Sequence, residues 1–214
     1  MLSSGLIVFA SYAIGAVPVA YLAGRLLKGI DIREHGSGNV GASNVWRTVS
    51  KPAVVPVGLA EIAQGMLGIL IAKLAGESLG VQVVAGLAAI AGHNWSPFLG
   101  FTGGRGIDHA IGFMLILSWP ALGTLVGASV VGIALRAMPQ LVGLGIIAAP
   151  LAALAAGQSA EIVGGTAGMA ALIVGKRLLT NHPSSPPGAD IRAVLLNRLL
   201  YDRDTREREV WVER

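Results

Sequence analysis

Two short stretches of this 214-residue chain carry most of its chemistry. The first, HGSGNVGASNVWR at residues 35–47, sets Gly36, Gly38 and Gly41 among Ser37, Asn39, Ser43 and Asn44, and it ends on Arg47. Glycines let backbone N–H groups approach an anion, hydroxyl and amide groups add donors, and a guanidinium supplies a two-pronged, charge-assisted clamp. The stretch reads as a phosphate cradle, although the same composition also suits a plain turn between two helices. The second, GHNWSPFLGFTGGRGIDHAIG at residues 92–112, sets Gly103, Gly104 and Gly106 around Arg105 where a helix is expected to start. Free N–H groups at a helix start favour an anion. Two such loops on one side of a molecule bind two phosphates, or grip one phosphate from both sides. Neither stretch matches a P-loop or a dinucleotide fingerprint.

Other groups offer weaker chemistry. His93, Asp108 and His109 flank the second loop and read as structural hydrogen-bonding groups, as acid–base catalysts or, least well by spacing, as metal ligands; no metal is expected. Glu61 and Gln64 are one helical turn apart inside an apolar run. There Glu61 reads either as a proton-transport carboxylate or as a partner for Arg47 or Arg105. The chain has no cysteine, which excludes disulfides, thiolate metal sites and cysteine nucleophiles.

The elements that must hold these loops are apolar. Of all residues 53% are hydrophobic and 13% charged, against about 25% charged in soluble domains, and the mean hydropathy is +0.67. A chain this short cannot hide so much apolar surface from water, so its solvent is lipid. Thirty glycines follow no Gly-X-Y period and lie inside Ala/Val/Leu/Ile runs, where membrane helices use them for close packing. A hydrocarbon layer needs roughly 20 helical residues, and apolar runs fall at about 4–24, 53–75, 79–97, 107–118, 120–135, 140–157 and 160–175. The fourth is short, and only Ser118, Trp119 and Pro120 separate it from the fifth.

Counting seven crossings gathers Arg25, Lys28, Arg33, Arg47, Lys51, Arg105, Arg136, Lys176 and Arg177 on one side and leaves Lys73 on the other. Fusing the fourth and fifth runs would scatter them. The expected architecture is therefore an all-α, polytopic membrane helix bundle of seven transmembrane helices, with the N-terminus outside and the C-terminus cytoplasmic. Positive-inside bias accounts for the net charge of +4, and no nucleic-acid partner is expected. A cleaved signal peptide is not expected, because the first run is long and a basic loop follows it. The membrane domain occupies 1–180 and a cytoplasmic tail 181–214. In that tail Pro183, Pro186 and Pro187 stop the helix, and IRAVLLNRLL at 191–200 forms a short amphipathic one.

With its first-span and loop pattern SYAIGAVPVAYLAGRLLKGIDIREHGSGNVGASNVWR and its second loop GHNWSPFLGFTGGRG, the sequence resembles the bacterial acyl-phosphate:glycerol-3-phosphate acyltransferases, the PlsY family of small membrane enzymes. The resemblance spans residues 4–177. It implies seven spans with cytoplasmic loops, no cofactor, and acyl phosphate and glycerol 3-phosphate as substrates in a lipid setting at the bacterial plasma membrane. The reaction would give lysophosphatidic acid and phosphate. Ser37, Gly38, Asn39 and Arg47 match the first motif; Gly103, Gly104 and Gly106 match the second, with Arg105 at its basic position and His93 before it. The resemblance implies Ser37, Arg47, His93 and Arg105 as catalytic residues, with Gly36, Gly41 and Asn44 joining the phosphate-binding set. The chain departs from the family pattern in several places: Arg105 and Thr102 stand where Lys is common, Asp108 and His109 replace small residues, and Glu61 and Gln64 replace an acid and a Lys. The family's third motif, a basic His/Asn-containing segment after the last span, is not clearly present: Lys176 and Arg177 occupy its approximate place, and Asn181 or His182 would substitute only after a shift.

Overall fold

The computed structural model describes residues 3–179 and 189–204, and among them every regular element is helical. Besides two short 3-10 helices (Ile32–Glu34 and Pro97–Leu99), these are in chain order α1 (Ser4–Ala16), α2 (Val19–Lys28), α3 (Ala42–Thr48), α4 (Val54–Leu74), α5 (Leu79–Asn94), α6 (Ile107–Leu117), α7 (Trp119–Ala134), α8 (Met138–Ala155), α9 (Ala160–Leu178) and α10 (Ile191–Tyr201). The continuous apolar stretch Ser4–Lys28, with Val54–Leu74 and Met138–Ala155, is long and apolar enough to cross a membrane. The shorter apolar helices Ile107–Leu117 and Trp119–Ala134 break at Ser118, whose extended backbone (φ −153°, ψ 87°) ends α6 and caps α7. Phe9, Leu59, Ile133, Leu144 and Leu151 are exposed on the bundle exterior, the disposition expected of a surface that meets lipid.

Lipid offers no hydrophobic drive between helices, so shape must do the packing. Small residues bring backbones into direct contact at two crossings. A Cβ on Gly15 would overlap the Ala89 carbonyl, and one on Gly92 would overlap the Tyr12 carbonyl, which fixes α1 against α5. Gly65 stands in the same way against the His109 backbone, and Gly112 against the Ile62 carbonyl, which fixes α4 against α6. Ile69, Ile90, Phe113, Met114, Met169 and Ile173 fill the core where α4, α5, α6 and α9 meet.

The expected first span is two helices, because Pro18 interrupts it. Proline lacks the N–H that would bond to the Ile14 carbonyl, which keeps only the longer bond from the Val17 N–H at 3.3 Å and, in a dry bundle, gains from a further donor. Gln64 Nε2 from α4 supplies it at 2.6 Å and also donates to the Val17 carbonyl at 3.1 Å. Ser96 Oγ donates to the Ala16 carbonyl at 2.6 Å. The residue that the sequence placed inside an apolar run is therefore the repair for a helix break next to the first loop. Replacing Gln64 with Leu should lower stability by about 1–3 kcal/mol, read as a drop in the thermal midpoint of the purified protein in detergent; an unchanged midpoint would refute this role.

Candidate active site

The first loop folds around one amide. Asn44, wholly buried at the start of α3, donates through Nδ2 to the Ile32 and His35 carbonyls, both at 3.0 Å, and accepts from the Ser37 N–H at 3.1 Å. Ser37 Oγ then receives the Asn39 N–H at 3.4 Å. Gly36 and Gly38 have φ of +59° and +64°, a conformation that side chains resist. A Cβ on Gly36 would also press on Asn44 Oδ1 at 2.5 Å and Thr48 Cγ2 at 2.6 Å. Gly41 caps α3 in extended conformation. Of the residues expected to touch phosphate, Asn44 is therefore engaged with the loop itself, while Ser37, Gly38 and Asn39 form its half-buried rim.

The second loop is pressed onto the end of α5. Gly104 N–H donates to the His93 carbonyl at 3.1 Å. A Cβ on Gly103 would overlap that same carbonyl, and one on Gly104 would collide with both the Val40 carbonyl and His93 Nε2. Gly106, at φ +74°, starts α6 and fits against Asn94 Oδ1. These glycines bring the two loops together through Val40, and Arg33 ties them further. Arg33 Nη1 donates to Leu99 O at 3.2 Å and Thr102 Oγ1 at 3.0 Å, while its other nitrogens bind Asp31. The Arg33 hydrogen bonds hold the Asp31 carboxyl below its usual pKa, against a smaller opposing effect of burial.

Charge converges behind the loops. Arg105 Nη1 lies 2.6 Å from Asp202 Oδ2, and its Nη2 donates to the Asp202 carbonyl at 2.9 Å. Arg177 Nε lies 3.5 Å from Asp202 Oδ1, and Arg47 is near enough for its charge to act on the same carboxylate. Burial raises the Asp202 pKa, and these three guanidiniums, Arg105 foremost, oppose the rise. Lys176, buried, sits over the Trp95 ring at 5.5 Å. Arg105 and Arg177 thus meet one carboxylate at one end of the bundle, with the charge of Arg47 acting on it and Lys176 close by. The sequence marked Lys176 and Arg177 only by position; Asn181 and His182 lie outside the described residues. Asp202, just past α10, gave no signal in the sequence, because its neighbours mix both charges. His93 is buried beneath Gly104 with its ring 4.3 Å from that of His109. Glu61 lies near Asp108 and the backbone of Ala20 and Ala42.

With this geometry in view, residues 5–184 match the glycerol-3-phosphate acyltransferase family model. The chain belongs to the glycerol-3-phosphate acyltransferase family. The acyltransferase 4 of Dehalococcoides mccartyi strain CBDB1 is 38% identical over 96% of this chain and 91% of its own length. A Synechococcus strain CC9902 glycerol-3-phosphate acyltransferase is 41% identical over 76% of this chain and 82% of its own. The crystal structure of PlsY, an integral membrane glycerol 3-phosphate acyltransferase, superposes in its glycerol 3-phosphate form with TM-score 0.75 at 27% identity, covering 96% of each chain. Its lysophosphatidic acid form gives 0.74 at 26%, covering 100% of each. The acyltransferase fold is thus an all-helical integral membrane one. Replacing Asn44 with Ala in this acyltransferase would leave the Ile32 and His35 carbonyls without their donor and release Ser37. Turnover should fall at least tenfold while the protein still purifies folded; full activity would show that the amide is dispensable.

Proposed function

We propose that this protein transfers a fatty acyl group from acyl phosphate to the 1-hydroxyl of glycerol 3-phosphate, giving lysophosphatidic acid and inorganic phosphate. Family membership makes it an acyltransferase of phospholipid synthesis with glycerol 3-phosphate as acceptor. The convergence of Arg47 and Arg105, from two separate glycine loops, on one anionic group carries the finer reading. Both substrates bear phosphate and the donor also bears a chain that stays in lipid, so a cationic mouth at the end of an apolar bundle suits both halves of the reaction.

Acyl phosphate is a mixed anhydride whose phosphate leaves readily, so direct attack by the glycerol hydroxyl needs no covalent enzyme intermediate. The attacking oxygen forms the new ester bond as the carbonyl carbon–phosphate oxygen bond breaks, and the hydroxyl proton leaves with the departing phosphate. Ser37 and the Gly38–Asn39 backbone serve as donors to phosphate or to the carbonyl oxygen, while Arg47 and Arg105 neutralise the growing charge. Gly36, Gly41 and Asn44 shape the first loop, and Gly103, Gly104 and Gly106 admit the second. His93, walled in by Gly104 and His109, supports the second loop and is a positioning residue in this scheme. The topology we assign is seven spans in the bacterial plasma membrane, with the N-terminus outside and the site and C-terminal tail cytoplasmic, because the basic residues gather on that face.

Purified protein given acyl phosphate and glycerol 3-phosphate should release lysophosphatidic acid and phosphate in equal amounts; failure of folded protein to do so, beside an active relative, would reject the assignment. Arg47→Ala and Arg105→Ala should each lower kcat/KM by roughly 10²–10³ without loss of folding. His93→Gln separates positioning from proton transfer. A general base would contribute about 10²–10⁴, whereas support of the loop predicts a smaller loss of kcat with a flat pH profile.

A further inference from the structure

Asp202 belongs to the C-terminal tail, beyond the residues that match the family model, yet it occupies the centre of the arginine cluster. Its fit there is incomplete. One carboxylate oxygen and the main-chain carbonyl engage Arg105, while Arg177 Nε, on a side chain more than nine-tenths buried, faces the second oxygen at 3.5 Å without completing a hydrogen bond. A carboxylate has two oxygens in a plane and a single charge. A phosphate group has three terminal oxygens in a tetrahedral array and up to two charges, enough to reach both guanidiniums at once. Asp202 itself ends α10 as its left-handed C-cap, φ +62°, with its N–H on the Arg198 carbonyl at 3.1 Å. The tail is fastened both at the cluster, where Arg177 Nη1 donates to the Leu199 carbonyl at 3.1 Å and to the Pro139 carbonyl at 3.2 Å, and beyond it. Arg198 Nε binds Asp204 at 2.6 Å, Arg198 Nη1 donates to the Leu178 carbonyl at 2.7 Å, and α10 packs on α8 and α9.

We propose that Asp202 is a built-in phosphate surrogate: its carboxylate closes an anion site made by Arg105 and Arg177, and a substrate or product phosphate must displace it to bind there. Arg177 is thereby assigned as a phosphate ligand alongside Arg105. The proposal rests on the reading that Arg105 meets phosphate, and it makes the tail a competitor whose occupancy sets the apparent affinity of the site. The phosphate that displaces it belongs to the acyl donor, to glycerol 3-phosphate or to the inorganic product.

The test is steady-state kinetics of the full-length protein in detergent–lipid micelles, comparing the parent with Asp202→Asn and Asp202→Gly. Both replacements remove the charge and tolerate a left-handed backbone, and a thermal melt verifies folding, so either variant gives a reading if the other is unstable. The expected result is a fall of roughly threefold to tenfold in KM for one substrate, with inorganic phosphate inhibiting at correspondingly lower concentration. The substrate whose KM falls is the one whose phosphate takes the carboxylate's place; stronger phosphate inhibition with both KM values unmoved assigns the position to the product. KM values and phosphate inhibition that are all unchanged or weakened would overturn the proposal and leave Asp202 as a support for Arg105. Arg105→Ala, assayed beside them, separates the two levels. If that variant turns over normally, the phosphate reading itself fails; if it is crippled while Asp202→Asn binds no better, the competition alone fails.

Discussion

A guanidinium withdrawn from water beside a lipid-embedded bundle needs an anion in contact with it, because the cost of stripping its hydration is recovered only by close charge pairing with hydrogen bonds. Arg105 is held in that condition. It stands between two glycines on a loop pressed into the end of α5, largely shielded from solvent, with a carboxylate at 2.6 Å. Arg177 and Arg47 act on the same point from α9 and α3. The requirement for a counter-charge at that point organises this end of the bundle: the loops lie around it, and the tail supplies the anion that resides there.

Positioning charges so closely depends on backbone proximity that only glycine permits. At Gly103 and Gly104 the second loop lies against the carbonyls of His93 and Val40, so no side chain separates the two loops. The same device repeats deeper in the bundle, where Gly15 and Gly92 join α1 to α5, and Gly65 and Gly112 join α4 to α6. Helix packing and loop packing are therefore one system. A change in how α1 meets α5 moves His93, and with it the floor under Gly104. The break at Pro18 belongs to that system too, since Gln64 and Ser96 satisfy the freed carbonyls while linking α4 and the end of α5 to the root of the first loop.

The arrangement matches the demands of joining a lipid chain to a charged, water-soluble acceptor. An apolar exterior suits the bundle to lipid, and cations gather at one end of it. In the proposed reaction the chemistry between them consists of alignment and charge neutralisation, because an acyl phosphate carries an activated leaving group. Conversely, the polar groups deeper in the bundle pair among themselves, Glu61 near Asp108 and the His93 ring tilted against that of His109.

Much of this was legible in the amino-acid order. The apolar runs mark the helices, because burial in lipid leaves a compositional trace along the chain, and α10 lies where the amphipathic pattern of residues 191–200 put it. Arg105 between glycines, and Arg47 at the end of a glycine-rich loop, suggest anion chemistry by residue type alone. Other features depend on long-range contact, which no local pattern encodes. Gln64 looked like an isolated amide until the Ile14 carbonyl appeared beside it. Asn44 looked like a ligand-binding amide, yet its donors go to the loop that carries it. Glu61, read either as a proton-transport carboxylate or as a partner for an arginine, lies near Asp108. Asp202, one acid among mixed charges, acquires meaning only because the chain returns after nearly a hundred residues to set it against Arg105. Residue chemistry and hydropathy are properties of the chain and can be read along it; which donor meets which acceptor depends on how the helices pack, and that exists only in three dimensions.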